Sequence, residues 1–394
     1  MIIMDFFGAH GGIGRCSREI LMELESQAVP TLHTGLSRFI RDFPPRLPGL
    51  KHIEFRSLDR PRWSPDYFRV RYHRKKYAQS RRFGDLLIRL ARKRAVQRGD
   101  ASSILVNFPQ AFPAPERETG FSVMIHDLNW LHYPGNFNDP DTTDRWCRQW
   151  VERAHRVVAV SEFTRAELIE HYQCPPEKIV AAPLAPFDEV ETTPAGETLA
   201  GLGLVAGRFY FYPAIWGMHK GQDVLTSALE QAGKTDPVVV TLGDPAKLID
   251  YNPPGIASLR ASLVSRWPKL VAQKRLVVLD NLSETAMQTL RLHCKAFVLP
   301  SQFEGFGFPM VEAVYLHRPA IVAEIPAYTE ILRRYPQYRL ATLFPPKSSE
   351  TLAGLLNNQP LPSPSMPAGW QQGVTDTWSW RHMVGRLMDA TRVV

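Results

Sequence analysis

An α/β protein built as two successive doubly wound, Rossmann-like halves is predicted by three observations. Short apolar, β-branched runs alternate with segments of helical spacing, the pattern of parallel sheets. The alternation starts afresh after a polar, acidic, turn-rich stretch at 186–203. A chain of 394 residues, 44% of them hydrophobic, is also longer than one core usually organises. The division read from this is 1–190 for the first half, 200–375 for the second, and 376–394 for a C-terminal helix able to cross back to the first.

Ile2–Phe7 is the first strand. Gly8-Ala-His-Gly-Gly-Ile-Gly14 reads as a glycine-rich turn, and Ile20, Leu21 and Leu24 mark the helix after it. Ser103–Phe108, Phe121–Ile125, Val157–Val160 and Ile179–Ala182 are further strands. Ser161 is placed to cap a helix with Glu162 and Arg165 in its first turns. In the second half Phe209–Tyr212, Val238–Leu242, Leu276–Leu279, Ala296–Leu299 and Ala320–Val322 are strands. A helix at Ser348–Leu356 lies within the proline-rich stretch Pro345–Met366, and Trp378–Arg392 has the spacing of a final amphipathic helix. Two such halves facing each other make a central cleft, and ligands of parallel α/β sheets sit at the carboxyl ends of the strands.

Composition narrows the class. No apolar run approaches the roughly 20 residues that span a bilayer. The opening residues have neither a basic region nor a small-residue cleavage site, so they are not read as a signal peptide. Cys16, Cys147, Cys174 and Cys294 are far apart and form no CxxC pair, which predicts reduced, partly buried thiols in the cytosol. The net charge of +8 is uneven. Residues 56–98 carry 15 Lys or Arg against Asp59, Asp66 and Asp85, with Trp63, Tyr67, Phe68, Tyr72, Tyr77 and Phe83 interleaved. Such a block seeks an anionic partner. Leu86, Leu87 and Leu90 alternate with Arg89, Arg92, Lys93 and Arg94, which resembles a basic amphipathic helix on an anionic membrane. The plain alternative is a solvated basic helix, and no nucleic-acid module is evident.

The segment Pro300-Ser-Gln-Phe-Glu304-Gly305-Phe306-Gly307-Phe308-Pro309-Met-Val-Glu312 follows a clean strand and opens a helix. Gly305 and Gly307 allow close backbone approach to a ligand, and Pro309 suits a first helical turn. The free N–H groups of a helix start favour an anion or a sugar hydroxyl. Glu304 lies in the loop and Glu312 about one turn into the helix, so two carboxylates can face one ligand. Two glutamates at this spacing, in this loop, resemble the signature of the retaining GT-B glycosyltransferases of group 1 (family four). The resemblance implies that Glu304 contacts the donor sugar and Phe306 and Phe308 the donor, while Glu312 holds the nucleotide ribose.

Tyr212-Pro-Ala-Ile-Trp-Gly-Met-His219-Lys220-Gly221 is the turn after the first strand of the second half. A lysine at a helix start beside a glycine can neutralise a diphosphate. The family usually clamps the pyrophosphate with an arginine and a lysine here. Lys220 matches the lysine, and no arginine lies between Pro213 and Lys220. The Tyr-Pro, Trp and His-Lys variant is similar to mannosyl- and rhamnosyltransferases. Gly12, Gly14 and Arg15 fail as a dinucleotide fingerprint, because Ser17 stands where a third glycine is needed and no acid lies near 31–37. They resemble instead the family's amino-terminal loop, and Arg15 is the candidate for the second positive charge.

His126, just past the strand Val123–Ile125 and followed by Asp127, is by resemblance a contact of the donor sugar near the reacting carbon. A lone histidine is otherwise a structural group. Ser161 is first a helix cap and second an acceptor-side ligand, and Glu330, after the strand at 320–322, is a weaker candidate acid. Asp139-Pro-Asp141 lies in a polar loop and is not read as a metal pair. The resemblance thus implies a metal-independent, retaining hexosyltransferase without a cofactor. It would take a nucleotide-diphosphate sugar, GDP-mannose first and UDP-glucose or dTDP-rhamnose next. Its acceptor would be a lipid-linked, lipopolysaccharide or polysaccharide glycan, and it would act in the cytoplasm or at the inner face of the membrane. An epimerase or hydrolase on the same fold, or a non-catalytic nucleotide-sugar-binding protein, stands as the alternative.

Overall fold

The computed structural model describes residues 1–5, 11–35, 49–58, 65, 68, 71, 80–96, 103–107, 109–186, 195–233, 235–242, 252–357 and 365–391. The chain divides into two compact units, one of residues 1–128, 139–185 and 378–394, the other of 129–138 and 186–377. Gly8–His10, most of 59–79 and the linker residues 187–194 lie outside the described residues.

In the first unit β1 (Ile2–Asp5) leads into α1 (Gly11–Ser26), then β2 (Thr31–Gly35), β3 (Ile53–Ser57), α2 (Arg81–Val96), β4 (Ile104–Asn107), β5 (Ser122–Ile125), α3 (Pro140–Arg153), β6 (Val157–Ala159), α4 (Glu162–Tyr172) and β7 (Ile179–Ala181). The strands form one parallel seven-stranded sheet in the order β3-β2-β1-β4-β5-β6-β7. The order reverses between β1 and β4, which makes the carboxyl ends of those strands the ligand-binding position of such a sheet.

Three expectations are corrected here. Gly11, Gly12, Gly14 and Arg15 form the first turns of α1, where a turn was expected. Glycine costs about 1 kcal/mol per helical position against alanine, and the buried Cys16, Ile20, Leu21 and Leu24 anchor the helix regardless. Asp139 is a helix cap, its carboxylate accepting from Thr142 N–H at 3.0 Å, so Asp139-Pro-Asp141 opens α3 instead of forming a loop. Leu86, Leu87 and Leu90 are 2%, 1% and 2% exposed, and α2 packs on β1 and β2. Its apolar face therefore serves the unit's own core and is not available to enter a membrane, while Arg89 and Lys93 face outward.

The second unit carries α5 (Ala195–Gly201), β8 (Tyr210–Tyr212), α6 (Gln222–Gln231), β9 (Val238–Val240), α7 (Pro254–Ala272), β10 (Leu276–Val278), α8 (Glu284–His293), β11 (Ala296–Leu299), α9 (Phe308–Tyr315), β12 (Ala320–Ala323), α10 (Pro326–Arg334), β13 (Ala341–Phe344), α11 (Ser349–Leu356) and α12 (Trp370–Thr377). Its six strands are again all parallel, ordered β10-β9-β8-β11-β12-β13. The reversal falls between β8 and β11, so the loops after Tyr212 and Leu299 meet there. β8, β9, β11 and β12 are buried throughout, as continuous apolar runs in a doubly covered sheet must be.

Ten residues, Asn129–Asn138, group with this unit although the chain on both sides of them belongs to the first. Gly135 and Gly255 pass so close that a Cβ on Gly255 would stand 2.7 Å from the Gly135 carbonyl oxygen. The final helix α13 (Trp380–Thr391) belongs to the first unit and packs on α1, β6 and β7. Ser122 Oγ donates to the Ala390 carbonyl at 3.1 Å, and Arg386 Nη1 to that of Ala181 at 2.8 Å. Among the described residues no helix is long and apolar enough to cross a membrane. All four cysteines are free and buried, and burial pushes the Cys294 thiol up to about 12.

Candidate active site

In the second unit the loops following β8 and β11 are locked together. The Gln302 N–H donates to the His219 carbonyl at 2.7 Å. Gly221, at φ +74°, caps α6 where a Cβ would lie 2.2 Å from the Pro300 carbonyl oxygen, so only glycine admits this approach. Lys220 ends the one-turn helix Met218–Lys220 and Glu304 follows β11 by five residues. Their side chains meet, Lys220 Nζ lying 2.9 Å from Glu304 Oε1 and 2.8 Å from Oε2. Both are largely enclosed, with side-chain exposures of 15% and 10%.

Two tyrosines frame the pair. Tyr212, the last residue of β8, donates from its hydroxyl to the Lys220 carbonyl at 2.9 Å. Tyr328 Oη, from α10, lies 3.4 Å from Glu304 Oε1. Burial first, and the Glu304 charge second, hold both phenols well above their ordinary range, so both stay protonated and able to donate. Gly307 caps α9 at φ +99°, and a Cβ there would strike the Tyr328 ring at 2.7 Å. The glycine thus makes room for a protein ring, where the sequence suggested room for a ligand. Gly307 offers no side chain to cap α9, and the Met310 N–H of its first turn donates to the Gly307 carbonyl at 3.0 Å. Gly305 and Phe306 are buried beneath this turn, and Phe306 meets Phe308 edge-on at 5.5 Å.

Glu312 sits one turn into α9 and is buried, with Oε2 accepting from Arg291 Nε of α8 at 3.1 Å. The two hidden charges compensate each other. His219 is likewise enclosed. Asn136 Nδ2 donates to its Nδ1 at 2.8 Å, and Asn129 Nδ2 lies 3.2 Å from the same nitrogen. Burial, and then the Lys220 charge, hold this imidazole well below its ordinary range, so it is neutral. Asn136 Oδ1 accepts from Met218 N–H at 2.8 Å, Tyr133 donates to Gln302 Oε1 at 2.9 Å, and His132 stacks on Phe303 at 4.5 Å. Residues 129–138 therefore brace both loops.

The structure brings Lys220, Glu304 and the start of α9 together. Glu330 is not among them: it pairs with Arg334 on its own helix at 2.9 Å, and Tyr328 is the residue of α10 that reaches Glu304. Arg260 of α7 lies over the Trp216 ring at 5.8 Å, beside the loop that lacks an arginine. Tyr328, Arg291 and the asparagines of 129–138 carried no sequence signal, because nothing local in their spacing points at the loops they touch.

In the first unit His126 follows β5 and is buried, with Nε2 2.6 Å from Asn107 Oδ1 at the end of β4. Asn107 Nδ2 reaches Ser17 Oγ of α1 at 2.9 Å. Gly12 is exposed, Gly14 buried and Arg15 half-buried at the start of α1. Ser161 caps α4, accepting from Thr164 N–H at 2.9 Å.

Residues 208–359 match the family model of glycosyl transferases group 1, and residues 11–184 that of glycosyltransferase family 4. The chain belongs to the glycosyl transferases group 1. A 65-residue stretch, 16% of this chain, is 35% identical to the serotype-specific mannosyltransferase WbdA of Escherichia coli and covers 8% of it. Over 213 residues the group 1 chain is 22% identical to the O-antigen chain mannosyltransferase RfbU of Salmonella typhimurium, with 54% of each aligned. It thus spans about half or less of these curated relatives. Among solved structures, HepE of Anabaena, in complex with UDP and glucose, is similar at a TM-score of 0.69 and 15% identity, over 100% of this chain and 99% of that one. WaaG, a glycosyltransferase involved in lipopolysaccharide biosynthesis, is similar at a TM-score of 0.62 and 13% identity, over 99% and 98%. At these identities the likeness is one of fold, and the fold is GT-B.

Proposed function

We propose that this protein transfers a hexose from a nucleotide-diphosphate sugar to a glycan acceptor of lipopolysaccharide or polysaccharide type, with retention of configuration. The observation that carries the reading is the Lys220–Glu304 pair beside the start of α9, at the carboxyl ends of β8 and β11. As the glycosidic bond breaks, negative charge grows on the leaving diphosphate. Lys220 and the N–H groups of Gly305–Phe308 would stabilise it, and Gly12, Gly14 and Arg15 are assigned to the same anion. Glu304 and His126 would take the sugar hydroxyls, and Glu312 the ribose. The acceptor hydroxyl would attack from the leaving-group side and lose its proton to the departing phosphate, with no metal or cofactor in the step.

GDP-mannose is our first donor, supported by the mannosyltransferase relatives; the complex of HepE with UDP and glucose makes UDP-glucose the second. The test is release of nucleoside diphosphate from GDP-mannose, UDP-glucose and dTDP-rhamnose with and without a glycan acceptor. Acceptor-dependent release with an α-linked product supports the reading. A β-linkage from an α-linked donor overturns retention, and an acceptor-independent free sugar overturns transfer. Undiminished turnover after dialysis against EDTA is expected. We further propose cytoplasmic placement beside an anionic membrane, held by the basic residues of 56–98 through charge alone. Flotation with anionic liposomes should then be abolished by about 0.5 M salt, where the Debye length is only a few ångströms.

A further inference from the structure

We propose that Asn107 is a positioning residue for His126, holding a proton on Nε2 and so selecting that tautomer whenever the ring is neutral, and that Ser17 holds the Asn107 amide in turn. The mechanistic weight of this rests on the reading of His126 given above.

The placement follows from the sheet. β4 and β5 are parallel neighbours with Asn107 opposite Met124, so Asn107 closes β4 as β5 runs on to Ile125 and His126. α1 springs from β1, the other neighbour of β4, and brings Ser17 to the same edge. All three side chains are buried, at 3%, 2% and 8% exposure for Ser17, Asn107 and His126. An asparagine amide has one accepting and one donating end. With Nδ2 given to Ser17 Oγ at 2.9 Å, Oδ1 is the atom 2.6 Å from His126 Nε2. An acceptor there requires N–H on that nitrogen, and the neutral ring then carries its lone pair on Nδ1. Turning the amide over would reverse every role at once, so amide orientation and tautomer are a single choice.

A second tether acts on the backbone. Thr164 Oγ1 donates to the His126 carbonyl at 3.4 Å, and Thr164 is itself held by the Ser161 cap. The ring nitrogen is thus fixed from β4 and the main chain from the start of α4. Ring position and proton position are set by different elements, so a change at Asn107 can release the proton without moving the strand.

The experiment is long-range proton–nitrogen correlation NMR on the full chain labelled with 15N-histidine, His126 being assigned by the signal lost in His126→Gln. A protonated Nε2 with an unprotonated Nδ1 is expected in the wild type. A protonated Nδ1, or an averaged pair, overturns the proposal without any variant. Asn107→Leu should lose the single-tautomer signature and lower kcat about tenfold or more, with KM for the donor changed far less, short of the roughly hundredfold a misplaced group can cost. Asn107→Asp, which keeps an oxygen acceptor, should keep the proton on Nε2, and its added negative charge should raise the pH at which Nδ1 is protonated as well. Loss of the signature in Asn107→Leu with unchanged kcat overturns the positioning role. If that variant does not fold, the wild-type spectrum and Asn107→Asp still decide. Normal turnover in His126→Gln would sink the reading of His126, leaving the tautomer assignment standing.

Discussion

Lys220 holds its ammonium between both carboxylate oxygens of Glu304, with Nζ 2.9 Å from one and 2.8 Å from the other. Each residue therefore occupies the other. On the proposed reading, a diphosphate would draw Lys220 away from Glu304, and that exchange would release Glu304 for the sugar.

The first prediction follows from this competition. Glu304→Gln removes the internal partner of Lys220, so the variant should bind a bare nucleoside diphosphate more tightly than the wild type. The same variant, and Lys220→Ala, should lose at least about 100-fold in turnover of the sugar donor, roughly 3 kcal/mol of transition-state binding. Calorimetric titration with GDP and UDP, beside steady-state rates, measures both. Weaker nucleotide binding in Glu304→Gln would refute the exchange.

Arg291 and Glu312 give the second. Both are buried, and Nε donates to Oε2 at 3.1 Å. Removing one member of a buried pair costs about 3–5 kcal/mol because the other charge is stranded. Arg291→Met should unfold at markedly lower denaturant than the wild type, and the double variant Arg291→Met, Glu312→Leu should regain much of the loss. Nucleotide affinity should stay low in the double variant if Glu312 holds the ribose.

The third concerns pH. His219 is held neutral, its pKa well below the ordinary value, by burial first and Lys220 second. The unfolded chain then binds more protons than the folded one between that lowered value and about 6.5, the ordinary histidine pKa. Stability is complete above about 6.5 and falls as pH drops through the window, by at most roughly 1.4 kcal/mol per pH unit from this group. Chemical denaturation of the wild type and His219→Gln between pH 7.5 and 5 should show a flatter dependence in the variant. Equal slopes would mean another group governs the window.

Gly221 gives the fourth. Its φ of +74° and the 2.2 Å approach of a Cβ to the Pro300 carbonyl oxygen leave no room for a side chain. Gly221→Ala should cost about 1–3 kcal/mol in stability and part the loops that carry Lys220 and Glu304. A near-normal melting temperature with normal turnover would show that the loops yield without consequence.

Much of this was legible in the residues themselves. The apolar runs at Val157, Tyr210, Ala296 and Ala320 announce buried parallel strands because both faces of the sheet are covered. β2 was hidden by Thr31, His33 and Thr34, polar side chains that are nevertheless buried, with Thr34 Oγ1 donating to the Arg56 carbonyl at 2.6 Å. α7 was hidden by Pro253, Pro254, Gly255 and Pro268, although proline at a helix start is compatible with the helix that forms. The motifs located Lys220 and Glu304, but not Tyr328, which reaches Glu304 from α10, nor Arg291, which reaches Glu312 from α8. The basic helix α2 misled because an apolar stripe reads the same whether a sheet or a lipid covers it.

The path of the chain between the units has a consequence for synthesis. The polypeptide passes from one unit to the other at Leu128, Asn138, Ala185 and Thr377. The first body is therefore unfinished when its own sheet has left the ribosome, because it still lacks α13, whereas the second has its brace at Asn129–Asn138 made far in advance. Folding of the amino-terminal half must wait for Trp380–Thr391 to be translated, and expressing residues 1–190 alone should yield an aggregation-prone product with an uncovered α1.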